Sequence, residues 1–354
     1  MDINRNYLPN PEAISFDRNH QDVARDQRQP ETWRQCLQQL HPLDLGGLIG
    51  EFQPEQYRWL FVGCGTSYYL AQAAAASFTL LTGKQSSAVP ASEILLYPQL
   101  SLPSADIVFP VLISRSGHTS EILALAEFLQ KEQIEFLALT CDGNELATMT
   151  PRVLQLPVRE ESTVMTSSFT SMLLAIQFVA AKLGGQPEFL DALEQVPSLV
   201  EKWLAKYEGP LEKSAQKPFD DIAVLGQGPL YPIASEVALK VMESSSSYAQ
   251  HFHTLEFRHG PKSIISDRTL VVGLIGQETE AEEVPVLREM KELGASTIAI
   301  ASRATKPVCE AADLVIELSS SLPTFPLLIA YVVWGQLFGS FVGLAKGLNP
   351  DEPI

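Results

Sequence analysis

An apolar run that ends in a glycine turn and leads into a helix occurs twice in this chain, 163 residues apart. The first copy reads RWLFVGCGTS and the second DIAVLGQGPLY, so that Gly63 and Gly65 correspond to Gly226 and Gly228. Further buried apolar runs alternate with helical segments in the same order in both halves, a pattern typical of parallel sheets covered by helices. We therefore predict an α/β protein of two doubly wound parallel-sheet subdomains, each a three-layer αβα arrangement, related by internal duplication.

The length of 354 residues fits two such units, since a domain averages about 150 residues. Residues 1–45 are polar and predict an N-terminal helical segment made of short helices broken by Pro30. We place the first subdomain at residues 46–195 and the second at residues 210–354, with a C-terminal helix and tail. A charged helical linker, from Pro187 to Lys217, lies between them.

One segment, Phe325 to Ala345, is uncharged over 21 residues and is long enough to span a membrane. A lone span at this place would leave two water-exposed domains before it. We therefore interpret the segment as a helix buried in the core or in a dimer interface.

Composition excludes several classes of function. Asp and Glu outnumber Lys and Arg by 42 to 25, which gives a formal net charge of −17. Such a charge repels nucleic-acid phosphates and anionic lipid, so we expect neither a nucleic-acid nor a membrane partner. Four scattered cysteines and an N-terminus without an apolar core predict a cytoplasmic protein without disulfides.

Two hydroxyl-rich turns follow neighbouring predicted strands and could hold an anion. A dinucleotide fingerprint fails in both copies, because Tyr68 and Tyr231 occupy the place of its third glycine, and no nucleotide P-loop occurs. Each turn precedes a helix, where backbone amides and the helix dipole favour a phosphate. The alternative is that these hydroxyls only cap helices. The candidate residues are Cys64, Gly65, Thr66 and Ser67 in the first turn and Ser114, Arg115, Ser116 and Thr119 in the second.

Three charged residues, Glu236, Lys240 and Glu243, are spaced to share one face of a predicted helix. They form either a solvated salt-bridge stripe or the proton-transfer groups of an active site. His259, on a Gly-Pro turn farther along the chain, is a candidate partner for the second role. The sequence HFH at residues 251–253 has no third ligand at metal spacing, so we expect no metal site.

Six motifs, read together, resemble the sugar isomerase (SIS) domain family over about residues 20–354. They are GCGTSYYLA, ISRSGHTSEIL, TSSFTSMLLA, EVALKVMESS, EFRHGPKSII and KGLNPDEP. The chain is similar to the isomerase half of glucosamine-6-phosphate synthase and to AgaS-type tagatose-6-phosphate ketose/aldose isomerases. The resemblance implies two SIS subdomains, a homodimer with shared active sites, no cofactor, and a sugar phosphate as ligand.

The same resemblance suggests a role for each candidate. The two hydroxyl turns match the phosphate-binding turns of the family, and Glu243 matches the carboxylate that moves a proton between C1 and C2. Glu236 and Lys240 match its helical neighbours. His259 matches the histidine that opens the sugar ring, usually from the neighbouring subunit.

The chain also departs from the synthase. It begins Met1-Asp2 without the N-terminal cysteine nucleophile, and it stops at Ile354 before the synthase's lysine-bearing tail. We therefore expect no glutamine amidotransferase activity. The expected function is an isomerase or deaminase of a hexose or hexosamine 6-phosphate. A deglycase of sugar-amine phosphate conjugates and a non-catalytic phosphosugar sensor stay open as alternatives.

Overall fold

Two five-stranded sheets form the centre of the molecule, and every strand pair in them is parallel. The computed structural model describes residues 21–102, 107–143, 145–160, 164–319 and 321–350. The first sheet has the order β2-β1-β3-β4-β5 and the second the order β7-β6-β8-β9-β10. The two orders are equivalent strand by strand, which confirms the predicted pair of doubly wound α/β units.

The strands of the first sheet are β1 Arg58–Gly63, β2 Ser87–Pro90, β3 Val108–Ile113, β4 Leu137–Thr140 and β5 Val153–Gln155. Those of the second are β6 Asp221–Gly226, β7 Ala249–His253, β8 Thr269–Ile275, β9 Ser296–Ala301 and β10 Leu314–Glu317. The helices are α1 Gln21–Leu40, α2 Leu45–Ile49, α3 Thr66–Thr82, α4 Ala91–Leu96, α5 Pro98–Ser101, α6 Ser120–Lys131, α7 Glu145–Thr148, α8 Ser167–Leu183, α9 Pro187–Ala215, α10 Leu230–Ser245, α11 Glu280–Glu292, α12 Lys306–Ala311 and α13 Leu328–Ala345.

The glycines that suggested the duplication have the same structural role in both halves. A Cβ on Gly63 would lie 2.1 Å from the carbonyl oxygen of Ser67, and one on Gly226 would lie 2.3 Å from that of Leu230. Both strands therefore need glycine at their ends, because the first turn of the next helix folds back against them. Gly65 and Gly228 follow with φ of +54° and +55°.

The predicted break at Pro30 is wrong: α1 runs through it from Gln21 to Leu40. A proline inside a helix costs about 3 kcal/mol or more, so tertiary contacts must offset that cost. Trp33 is fully buried, and its indole N–H donates to the hydroxyl of Thr170 on α8 at 2.9 Å. The amide of Gln29 donates to Gln336 on α13 at 2.8 Å. These contacts hold both halves of α1 against the core.

The uncharged C-terminal segment is a core helix, as predicted. By length and composition Phe325–Ala345 could cross a membrane, but 94% of its most apolar window is buried inside the fold. Its helical part, α13, packs on the face of α10 and also contacts α9, α8 and α1. One continuous apolar core includes residues of both sheets and of α13, so the two subdomains share their packing.

Candidate active site

The first hydroxyl turn lies at the carboxyl end of β1, between the strand and α3. Thr66 and Ser67 begin α3 and are buried. Cys64 is half-buried, and burial, followed by the charge of Glu121, raises the pKa of its thiol. A raised thiol pKa favours the protonated form of Cys64 over the nucleophilic thiolate. The turn places two hydroxyls at the start of a 17-residue helix, while the amides of Ser67 and Tyr68 donate to the carbonyls of Cys64 and Gly65.

The second hydroxyl turn lies at the carboxyl end of β3, the strand that pairs with β1. The hydroxyls of Ser114 and Thr119 lie 3.0 Å apart, and Ser114 accepts the Gly117 amide at 3.1 Å. Ser116 accepts the His118 amide at 3.2 Å. The structure thus brings the two predicted turns to neighbouring positions on one sheet edge, where a doubly wound fold binds its ligands.

Glu236, Lys240 and Glu243 do not form a solvated stripe, because the side chains of the first two are 0% and 1% exposed. The Lys240 ammonium lies 2.5 Å from Glu243 and 3.4 Å from Glu236. It also donates to the hydroxyl of Thr66 across 3.0 Å. This lysine therefore connects the helix face of the second subdomain with the first hydroxyl turn of the first subdomain.

Charge in this group is nearly balanced. Burial raises the pKa of Glu236 to about 8, with Lys240 lowering it and Glu243 raising it further. Neither Glu236 oxygen makes a hydrogen bond of normal geometry to a described residue, which fits a protonated acid in a dry environment. Burial lowers the pKa of Lys240, but the two carboxyl groups outweigh it and hold that pKa above its usual value. A lysine cation then pairs with Glu243, whose side chain is 34% exposed.

No hydrogen bond or ion pair joins His259 to this group among the described residues. It is exposed at the end of a short 3-10 turn, Glu256–Arg258, and Gly260 follows with φ of +128°. Arg258 and Lys262, on either side of it, both bind Glu289 of α11, at 2.8 and 2.9 Å. These ion pairs fix the segment while the imidazole stays at the surface.

The sequence analysis missed Glu160, whose side chain is only 1% exposed. It accepts the amides of Thr166 and Ser167 at 2.8 and 2.9 Å, together with the hydroxyls of Thr166 and Ser168 at the start of α8. It also lies 3.6 Å from the guanidinium of Arg115 in the second hydroxyl turn. Glu160 thus links that turn to α8. Its six-residue distance from the helix start follows no capping pattern, so the sequence carried no signal for it.

The equivalent turn after β8 in the second subdomain is acidic. Here the buried carboxyl group of Glu283 accepts the Gly276 amide at 2.7 Å, where the first subdomain uses the hydroxyl of Ser114. Glu278 and Glu280 lie in the same turn and helix start. Their charges would repel an anion at this edge, so the hydroxyl turn after β3 suits a phosphate better than its equivalent after β8.

A metal site is not visible in the part of the chain described above: it contains no group of three or more His, Cys, Asp or Glu residues placed to hold an ion. His251 and His253 instead lie among tyrosine rings.

Curated proteins with similar sequences act on sugar phosphates by name. D-galactosamine-6-phosphate deaminase AgaS of Shewanella sp. (strain ANA-3) is 26% identical over 345 residues, covering 92% of this chain and 86% of that protein. The glutamine–fructose-6-phosphate aminotransferase of Methanothermobacter thermautotrophicus is 28% identical over 308 residues, covering 86% of this chain. The chain spans about half the length of that aminotransferase, 51%.

Solved structures agree with these relatives. The crystal structure of tagatose-6-phosphate ketose/aldose isomerase from Escherichia coli superposes with a TM-score of 0.82 at 25% identity, covering 94% of this chain and 95% of that one. The SIS domain family matches residues 52–182 and 219–337, which correspond to the two sheets and the helices around them. The duplicated parallel sheets, the paired hydroxyl turns and these matches together show that the chain belongs to the SIS domain family.

Proposed function

We propose that this protein is a phosphosugar isomerase that acts on a hexosamine 6-phosphate and releases ammonia as it forms the ketose phosphate. The observation that carries the proposal is the position of Lys240, which contacts both a hydroxyl of the first turn and the carboxylate of Glu243. A phosphate bound at the turns would hold the sugar close to a proton carrier. The AgaS relatives, named as D-galactosamine-6-phosphate deaminases, support the choice of an aminosugar.

In the proposed binding mode, the hydroxyls of Thr66, Ser67 and Ser116 donate to the phosphate oxygens, together with amides of the turns. Ser114 and Thr119 share a hydrogen bond, so one of these two hydroxyls donates to the other and one to the phosphate. Arg115 supplies the positive charge, and Glu160 holds it in place. Hydrogen bonds to an ionised group contribute about 1.5–3 kcal/mol each. A few of them suffice for binding in a chain whose net charge is −17.

In the proposed reaction, His259 protonates the ring oxygen as the ring opens and takes the proton of the anomeric hydroxyl, which becomes the C1 carbonyl. Glu243 then takes the proton from C2 of the open-chain aminosugar while His259 protonates O1, which gives an enolamine. Glu243 returns its proton to C1, and the nitrogen gives one up to His259, so that the product is a ketimine. Water hydrolyses its C=N bond to give the ketose and ammonia. The proton and the carboxylate return to their starting states, so the reaction consumes only water and needs no cofactor.

His259 is exposed within its own chain, which supports a homodimer in which each active site takes this histidine from the partner subunit. We further propose that the protein is cytoplasmic, because its proposed substrate is a phosphorylated metabolite.

The proposal is tested by incubating the protein with galactosamine, glucosamine and the corresponding neutral hexose 6-phosphates. Ketose formation and ammonia release are measured together. We expect Glu243→Gln to lower turnover at least about a hundredfold while the sugar phosphate still binds. Glu282→Gln, an exposed change on α11, is the matched control and should retain activity. Ketose without ammonia would identify a plain aldose/ketose isomerase, and binding without any turnover would identify a sensor.

A further inference from the structure

An aromatic–histidine cluster, made of Tyr69, Tyr231, His251 and His253, lies beside the charged face of α10. The rings of Tyr231 and His253 are stacked with centroids 3.6 Å apart and an angle of 10° between their planes. The ring centroid of His251 lies 5.5 Å from that of Tyr231 and 5.8 Å from that of Tyr69, and the His251 and Tyr69 rings are in a T-shaped arrangement. All four side chains are partly exposed, so the cluster forms a surface that a ligand can reach.

The cluster is adjacent to the candidate active site through two elements. Tyr69 stands in the first turn of α3, one turn after Thr66, and α3 packs on α10. Burial raises the pKa of Tyr69, and the carboxylates of Glu236 and Glu243 raise it further. Tyr69 therefore lies near the charged face of α10.

Ser235 hydrogen-bonds to His251. The Ser235 hydroxyl lies 3.1 Å from the carbonyl oxygen of Tyr231, to which it can donate, and 3.0 Å from His251 Nδ1. When it donates to the carbonyl, its oxygen accepts from Nδ1, and in a neutral ring Nε2 then carries a lone pair. Burial, together with His253, lowers the pKa of His251, which favours the neutral ring.

We propose that this cluster recognises the amino group of the substrate, with His251 Nε2 accepting a hydrogen bond from the ammonium and the tyrosine rings facing its charge. A lone pair between aromatic faces suits a cationic donor. A neutral hydroxyl at the same place would form only the weaker hydrogen bond between two uncharged groups. The inference rests on the proposed function and adds the residues that select an aminosugar over a neutral sugar.

The test uses two alditol phosphates that cannot react, 2-amino-2-deoxyglucitol 6-phosphate and glucitol 6-phosphate. Isothermal calorimetry compares their affinities for the wild-type protein, for His251→Leu, and for the control His41→Leu. His41 is an exposed histidine just after α1 that pairs with Glu194. We expect the wild type and the control to bind the amino compound about ten- to a hundredfold more tightly, and His251→Leu to lose most of that preference.

Equal affinities of the wild type for the two compounds would overturn the inference and leave the phosphosugar function intact. Weak or absent binding of both would instead overturn the proposed function, and the inference with it. If thermal melting shows that His251→Leu does not fold, Ser235→Ala replaces it. That variant frees the Nδ1 proton and should reduce the same preference without changing glucitol 6-phosphate binding. An unchanged preference in Ser235→Ala, or in a folded His251→Leu, would contradict the assignment.

Discussion

Lys240 of the second subdomain donates a hydrogen bond to Thr66 of the first across 3.0 Å, while the same ammonium pairs with Glu243 on its own helix. The lysine is fully buried between the two sheets. Residues of both subdomains therefore form the candidate active site, and the side chain of Lys240 connects the two groups of residues.

Replacing Lys240 by Met should test this connection, because Met keeps the length and fills the buried space without the charge. We expect phosphosugar affinity to fall about tenfold, as one charge-assisted contact to the turn is lost, and turnover to fall with it. Lys291→Met, which removes a surface ion pair to Asp313, is the control. Unchanged affinity and turnover in Lys240→Met would show that the link is only structural.

The hydroxyl turns should bind the phosphate. Ser116→Ala and Thr119→Ala should each weaken binding of glucitol 6-phosphate about ten- to a hundredfold, as measured by calorimetry, with no change in melting temperature. Ser198→Ala on the exposed face of α9 serves as the control. If both turn variants keep the wild-type affinity, the phosphate binds elsewhere.

A site shared between subunits predicts complementation. Glu243→Gln and His259→Asn should each be inactive alone, because each lacks one proton carrier in every site. After denaturation and refolding of an equal mixture, half of the dimers are mixed, and each has one intact site. About a quarter of wild-type activity should therefore return. Activity that stays at the level of the separate variants would argue that both residues act within one chain.

Stability should fall as pH rises, since burial raises the pKa of Glu283 to about 8 from an ordinary value near 4.5. Between those two pH values the folded protein retains a proton that the unfolded chain releases. The free energy of unfolding then decreases by up to about 1.4 kcal/mol per pH unit for such a group. Glu236, with a pKa also raised to about 8, adds to the same slope.

Glu283→Gln keeps an oxygen for the Gly276 amide but cannot ionise. Its melting temperature should exceed that of the wild type at pH 8.5 by more than at pH 5. Glu282→Gln, its exposed neighbour, should follow the wild type at both pH values. Parallel melting curves for Glu283→Gln and the wild type across this range would mean that Glu283 is ionised in the folded protein.

Three glycines on α13 allow close contact with α10. A Cβ would lie 2.6 Å from the Val237 side chain at Gly335, 3.0 Å from the Lys240 carbonyl oxygen at Gly339, and 2.1 Å from the Ser244 carbonyl oxygen at Gly343. Gly343→Ala must therefore push α10 away, at a cost of about 1–3 kcal/mol, with a loss of turnover because Lys240 and Glu243 move with the helix. Gly209→Ala in α9, where the added Cβ meets no atom within 4 Å, should instead stabilise the protein by up to about 1 kcal/mol, because Ala has the higher helix propensity. Equal melting temperatures and activities for the two variants would contradict the close packing.

The fold could be predicted from the sequence because its signals are local. Glycines at 63 and 226 end two apolar strands, and the steric need for them is met within four residues of chain. The helix break predicted at Pro30 was wrong because the signals that decide it are not local. The contacts that keep α1 continuous come from Thr170 and Gln336, which are distant in the sequence.

The sequence indicated which residues could form the candidate site, but it did not indicate whether their side chains are buried or exposed. The spacing of Glu236, Lys240 and Glu243 places them on one helix face, and that spacing is the same whether the face meets water or a second subdomain. Their burial depends on α3 and on the turn of Thr66, which belong to the other copy. The contacts of Glu160 and the hydrogen bond between Ser235 and His251 depend on side chains that meet only in the folded chain, so no pattern in the sequence could indicate them.

The two copies have diverged in a complementary way. The first keeps hydroxyls at its sheet edge and lacks the charged helix face, whereas the second carries the charged face and has an acidic turn where the hydroxyls would be. Each half thus supplies a feature that the other lacks. Neither half holds the complete candidate site alone, and exchanging one half with that of a relative would need matching changes along the α3–α10 boundary.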